Sequence, residues 1–168
     1  SLNHALALMY ARRADDAVSA ITTLLGQSTG ARIEGYAHYV LARAHLVAGR
    51  HDAAFVAADR AEQHLRPIPT LRPLAAATVA EVLLARGERE RALVPARDAH
   101  TYLERGGHLE DGESYVRAVF ARVMLAAGRT DEARAALALA ARRLESLAAN
   151  LSPRLRESFL GRIPEHAV

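Results

Sequence analysis

Stretches of apolar residues at helical spacing, separated by short polar turns, run through nearly the whole chain. They predict paired helices over 2–11 and 14–26, 31–48 and 52–66, 73–86 and 89–105, and 113–127 and 131–149. One pattern sits between the members of each pair: an apolar helix end, Gly, a charged turn, an acid and Ala. It reads Leu46-Val47-Ala48-Gly49-Arg50-His51-Asp52-Ala53-Ala54, then Leu84-Ala85-Arg86-Gly87-Glu88-Arg89-Glu90-Arg91-Ala92, then Leu125-Ala126-Ala127-Gly128-Arg129-Thr130-Asp131-Glu132-Ala133. Met9-Tyr10-Ala11-Arg12-Arg13-Ala14-Asp15-Asp16-Ala17 follows it with Arg12 in place of Gly. The turn positions 12, 49, 87 and 128 are separated by 37, 38 and 41 residues, which marks an internal repeat.

Aligning the four turns brings three further columns into register. A small residue lies seven before the turn (Ala5, Ala42, Ala80, Ala121), an acid three after it (Asp15, Asp52, Glu90, Asp131), and Ala five after it (Ala17, Ala54, Ala92, Ala133). Each column has a physical role. Gly just past a helix end takes the left-handed conformation that closes the last turn, and an acid in the next first turn meets the positive end of that helix dipole. Ala at facing positions lets two antiparallel helices approach toward the short end of the usual range of roughly 8–10 Å. Hairpins of this kind stack to bury their second faces. The expected organisation is one domain over 1–168, all-α, with repeats at about 2–27, 31–66, 73–105 and 113–149.

The connectors are Gln27-Ser28-Thr29-Gly30, Pro67-Ile68-Pro69-Thr70 and the stretch from Gly106-Gly107-His108 to Gly112, with Pro73 suited to a helix first turn. Pro95, inside a predicted helix, should kink it or mark a late start. Ser152-Pro153 is a cap and first-turn pair that opens a short helix over about 153–161, ended by Gly161 and Pro164 and expected to cap the stack.

Composition sharpens the fold class. Ala fills 37 of 168 positions and aromatic residues only 8, a palette for closely packed helices rather than for sheets needing branched and aromatic side chains. The formal charge is +3, and the isoelectric point near 9.8 arises because every basic residue is Arg, so few groups lose protons above the His range. Acids and bases interleave, as in Arg86-Gly87-Glu88-Arg89-Glu90-Arg91, which reads as a solvated helix surface. No nucleic-acid partner is expected. No apolar run approaches the roughly 18 residues of a membrane span and no signal-peptide pattern opens the chain, so no membrane partner and a cytoplasmic location are expected. The start Ser1-Leu2-Asn3-His4 lacks Met and passes straight into a helical pattern, which reads as a piece of a longer chain.

The repeat resembles the tetratricopeptide repeat, whose unit of about 34 residues carries small residues at its positions 8 and 20 and Gly in the turn. In that register position 8 is Ala5, Ala42, Ala80 and Ala121, position 20 is Ala17, Ala54, Ala92 and Ala133, and position 27 is Leu24, Ala61, Ala99 and Ala140. The units here are three to seven residues longer, the Trp and Tyr slots are mostly filled otherwise, and no repeat ends with the usual Pro. The long units, the Ala/Arg-rich composition and the closing Ser158-Phe159-Leu160-Gly161-Arg162-Ile163-Pro164-Glu165-His166 also resemble the repeat tails of large bacterial signalling ATPases and serine/threonine kinases. The resemblance implies a right-handed superhelix, an α-solenoid of four antiparallel hairpins and a capping helix. It further implies a sensor or docking region attached to a catalytic domain.

It also implies a concave groove lined by first-helix positions 2, 5, 9, 12 and 13. These are Tyr36, Tyr39, Arg43, Leu46 and Val47 in the second unit, Leu74, Ala77, Glu81, Leu84 and Ala85 in the third, and Tyr115, Ala118, Arg122, Leu125 and Ala126 in the fourth. Tyr and Arg anchor protein interfaces through rigid apolar area and forked hydrogen bonds. The candidate partner-binding residues are therefore Tyr36, Tyr39, Arg43, Glu81, Tyr115 and Arg122, facing a protein or peptide with acidic or carbonyl groups. The bland alternative is that Tyr36 and Tyr39 pack against the neighbouring hairpin.

Catalytic chemistry finds little footing. The chain has neither Cys nor Lys, which excludes thiolate sites, a Walker phosphate loop and Schiff-base chemistry. Glu34, His38 and His45 share a helix face, but both His occupy slots for large inward-packing side chains, so no metal is expected. His100 and His108 straddle a loop, Gly106-Gly107 is a lone pair suited to a connector, and Glu110, Asp111 and Glu113 cluster at a loop tip. The expectation is a non-catalytic module without cofactor that binds a protein or peptide within a bacterial signalling protein. Two alternatives stand beside it: a regulatory domain sensing a small effector, and a self-association module forming a homodimer.

Overall fold

In the computed structural model, which describes residues 2–27, 30–109 and 112–161, nine α-helices lie among the described residues. They are α1 (Leu2–Tyr10), α2 (Ala14–Leu25), α3 (Ala31–Val47), α4 (His51–Leu65), α5 (Arg72–Ala85), α6 (Arg89–Glu104), α7 (Glu113–Ala126), α8 (Thr130–Ala148) and α9 (Pro153–Gly161). Every bound falls within one residue of the expected one. The helices pack as sequence-adjacent pairs, α1/α2, α3/α4, α5/α6 and α7/α8, with α9 resting on α8. Ser28, Thr29, Glu110, Asp111 and the closing residues 162–168 lie outside the described residues.

The precision of the bounds comes from one turn built four times. Gly49 donates its N–H to the Leu46 carbonyl at 3.0 Å and Arg50 to the His45 carbonyl at 2.9 Å, the two bonds that close a helix through a left-handed residue. Gly87 and Glu88 repeat the pair on Leu84 and Leu83, and Gly128 and Arg129 on Leu125 and Met124. The three glycines have φ of +71°, +80° and +75°. Arg12 stands in the same place with φ +59° and makes the same bonds to Met9 and, through Arg13, to Leu8. A side chain with a Cβ pays about 1 kcal/mol in that conformation. Arg12→Gly is expected to raise the unfolding free energy by about 0.5–1 kcal/mol and Gly87→Ala to lower it by about 1 kcal/mol, measured by urea titration.

The acids also fall where expected, in the first turns of α2, α4, α6 and α8. Two of them reach the next unit as well: Asp15 pairs with Arg50 and Asp52 with Arg86. Exposed pairs of this kind add little stability, but they repeat along the turn edge. Pro95 does not delay α6, which starts at Arg89 and runs through it without the bond that a Pro95 N–H would make.

The two Ala columns sit in the hairpin seams. Ala5, Ala42 and Ala80 and all of Ala17, Ala54, Ala92 and Ala133 are fully buried, and Ala121 nearly so. First helices also pack on one another, α1 on α3, α3 on α5 and α5 on α7. The second helices lack packing of that extent, so the stack curves with the first helices inside. The last helix covers little: α9 buries no side chain, and Leu147 of α8 and Leu155 of α9 stay exposed. No helix among the described residues is long and apolar enough to cross a membrane.

Candidate functional site

The repeat register brings the six candidate residues together on the inner side of the stack. Repeat position 9 forms a column of alternating charge, Arg43 on α3, Glu81 on α5 and Arg122 on α7. The Glu81 carboxylate accepts from Arg122 Nη2 at 2.7 Å and from the Tyr115 hydroxyl at 2.7 Å. The Tyr115 hydroxyl also lies 3.4 Å from Thr78 Oγ1. Arg43 Nη1 donates to the Tyr39 hydroxyl at 2.7 Å and to the Tyr10 hydroxyl at 3.4 Å. Its guanidinium carbon lies 4.2 Å from the centroid of the Tyr115 ring, a cation–π contact. Tyr39 meets Tyr36 edge-on at 5.2 Å and Tyr115 at 5.7 Å between centroids.

Tyr39 and Tyr115 come from helices two hairpins apart. Their rings meet across α5, where the residue at repeat position 5 is the small, fully buried Ala77. Tyr39, Tyr115 and Arg43 retain only 3%, 2% and 8% of their surface in solvent. The area of Tyr39 and Tyr115 is therefore already buried by the chain itself and is not available to a partner. Of the candidates, Arg122 is half exposed at its side chain and Tyr36 and Glu81 are partly so. Val47, Leu125 and Tyr10 form exposed apolar positions beside them, while Leu74 and Ala77 lie in the core.

Burial opposes charge on Arg43, but Tyr39, Tyr115 and Glu81 together outweigh it and hold the guanidinium pKa above its ordinary value. Burial, reinforced by the Glu81 carboxylate, lifts the Tyr115 hydroxyl well above its usual range. Arg43 stays charged and Tyr115 stays a donor at any physiological pH. Two members of this network, Tyr10 and Thr78, were not among the sequence candidates. Extending the groove register into the first unit, where Tyr10 holds repeat position 13, would have found the first of them.

A second charged centre lies between the third and fourth hairpins. Arg117, almost fully buried, donates to Glu104 at 3.1 Å and to Glu113 at 2.9 Å. His100 stacks on Phe120 with centroids 3.9 Å apart, and His38 stacks on His64 at 5.9 Å. His38 Nδ1, His45 Nδ1 and His100 Nε2 are buried without a hydrogen-bond partner among the described residues. Burial is the main force lowering the pKa of all three. Neighbouring cations add to it: His64 and Arg60 at His38, Arg50 at His45, and Arg117 and Arg97 at His100, where Glu104 pulls the other way. A depressed folded-state pKa stabilises the fold above the unfolded His value of about 6.5 and loses that contribution as pH falls below it. The melting temperature is expected to drop between neutral and mildly acidic buffer, and His100→Phe should flatten that drop.

Among the described residues no group of three or more His, Asp or Glu side chains is placed to hold a metal ion. Comparison with family models, curated proteins and solved structures finds no match to this chain.

Proposed function

We propose that this chain is a non-catalytic helical-repeat module of tetratricopeptide type that binds a protein or peptide on its inner face. The observation that carries this reading is the column Arg43–Glu81–Arg122 running across three stacked first helices beside the exposed Val47, Leu125 and Tyr10. In this reading the buried Arg43, Tyr39 and Tyr115 form a rigid floor. Recognition falls to the Arg122 and Glu81 edge, with Tyr36 at its rim and the apolar positions beside it. A preorganised floor lowers the ordering cost of association, and a half-exposed Arg supports pairing with an acidic or carbonyl group.

The test is a peptide array probed with the folded chain and repeated with Arg122→Glu and Leu125→Asp, both at exposed positions. Enrichment of acidic–apolar peptides that both variants lose supports the reading. Peptides retained by both variants would move binding off this face, and no enrichment at all would remove the reading.

A further inference from the structure

Hairpins α3/α4 and α7/α8 close the same gap, between the start of the first helix and the end of the second, with residues at the same three repeat positions. In α3/α4 these are Glu34, His38 and His64, with His64 Nδ1 3.9 Å from the Glu34 carboxylate and its ring on His38. In α7/α8 they are Glu113, Arg117 and Arg143, with Glu113 2.9 Å from Arg117 and 3.0 Å from Arg143. In α5/α6 the same positions hold Arg72, Ala76 and Tyr102. The acid has become a cation and the long side chain a methyl group. There a cleft of about 410 Å³ opens, bordered also by Asp98 and Arg105.

The cleft has a fixed wall and, at its rim, exposed charged side chains. The Tyr102 hydroxyl donates to the His108 carbonyl at 3.1 Å, and its ring lies so close to Gly107 that a Cβ there would fall 2.4 Å from Cε1. Asp98 and Tyr102 stand at i and i+4 on one face of α6, and Arg105 caps the end of that helix. Among the described residues the side chains of Arg72, Asp98 and Arg105 make no hydrogen bond or ion pair. At the repeat position where the two neighbouring hairpins carry a carboxylate this hairpin carries Arg72, and the cleft stands open to a carboxylate from solution.

We propose that this cleft binds an acidic α-amino acid. Two guanidinium groups and one carboxylate complement two carboxylates and one ammonium: the carboxylates meet Arg72 and Arg105, one of them in the place Glu113 takes in the fourth hairpin, and the ammonium meets Asp98. The aliphatic carbons lie against Tyr102, Pro73 and Ala76. This site is on the opposite edge of the third hairpin from its Gly87 turn and does not depend on the proposed inner-face binding.

Titration calorimetry and saturation-transfer NMR with L-glutamate, L-glutamine and glutarate test it. L-glutamate is expected to bind, and glutamine and glutarate each about tenfold more weakly, the loss of one charge-assisted contact. Asp98→Asn should weaken glutamate and leave glutarate unchanged. Arg105→Gln, at an exposed position, should weaken both. Ala76→His, which restores the filler of the second hairpin, should abolish binding at an unchanged melting temperature. Absence of any signal from glutamate at about 10 mM overturns the proposal. So does binding that survives both Ala76→His and Arg105→Gln.

Discussion

Glu81→Leu is expected to lower the free energy of unfolding by about 3 kcal/mol. The substitution takes away the acceptor of the Tyr115 hydroxyl and the partner of Arg122, and it leaves the buried Arg43 guanidinium with a weaker opposing charge. Most of the effect belongs to Arg43 and Tyr115, because the half-exposed Arg122 regains water on losing its partner. Arg122→Ala should accordingly cost less than about 1 kcal/mol. Glu81→Gln keeps an acceptor for Tyr115 and should fall between, at about 1–2 kcal/mol. Adding Arg43→Leu to Glu81→Leu removes the stranded charge and should cost less than the two changes summed. Guanidinium titrations with equal slopes measure these four variants and the Arg43→Leu single change that the sum requires. A Glu81→Leu cost no larger than that of Arg122→Ala would show that the inner network does not hold the first helices together.

Ala80→Leu is the second large effect, again about 3 kcal/mol. Ala80 on α5 and Ala92 on α6 are both without solvent contact and belong to the same core cluster. A Leu there adds three carbons to a seam whose closeness depends on methyl groups, so the helices must separate or the side chain must leave its rotamer. The loss corresponds to a fall in melting temperature of about 6–12 °C for a domain of this size. Ala85→Leu, one turn on at the exposed end of the same helix, is the control and should stay within about 0.5 kcal/mol. Equal melting of the two variants would mean that the Ala column is a composition bias rather than a packing device.

The helices were legible because their ends are written locally. A helix that stops at a left-handed residue and restarts under an acid needs only the few residues around Gly49, Gly87 or Gly128 to declare itself, and even Arg12 obeys the geometry at an energetic cost. The same register placed Tyr36, Tyr39, Arg43, Glu81, Tyr115 and Arg122 on one side, since a repeat carries its faces from unit to unit. How far those side chains are exposed was not legible. Tyr39 and Tyr115 are buried because their rings meet over the small Ala77 of the intervening α5, a contact between residues 76 positions apart in the chain.

By itself, then, the sequence determined the helix count among the described residues, the turns, the Ala seams and the face on which the polar and aromatic residues gather. Each of these rests on contacts a few residues apart or on strict repetition. Only the tertiary structure decided what meets across hairpins. A Cβ on Gly35 of α3 would lie 2.5 Å from Leu65 Cδ2 of α4, so its absence lets the two helices touch. Ala76 reads as one more Ala in an Ala-rich helix, yet it opens a cleft that His38 and Arg117 close in the neighbouring units. Helix ends follow from local dihedral preferences, whereas gaps and contacts between helices follow from the volumes of side chains far apart in the chain.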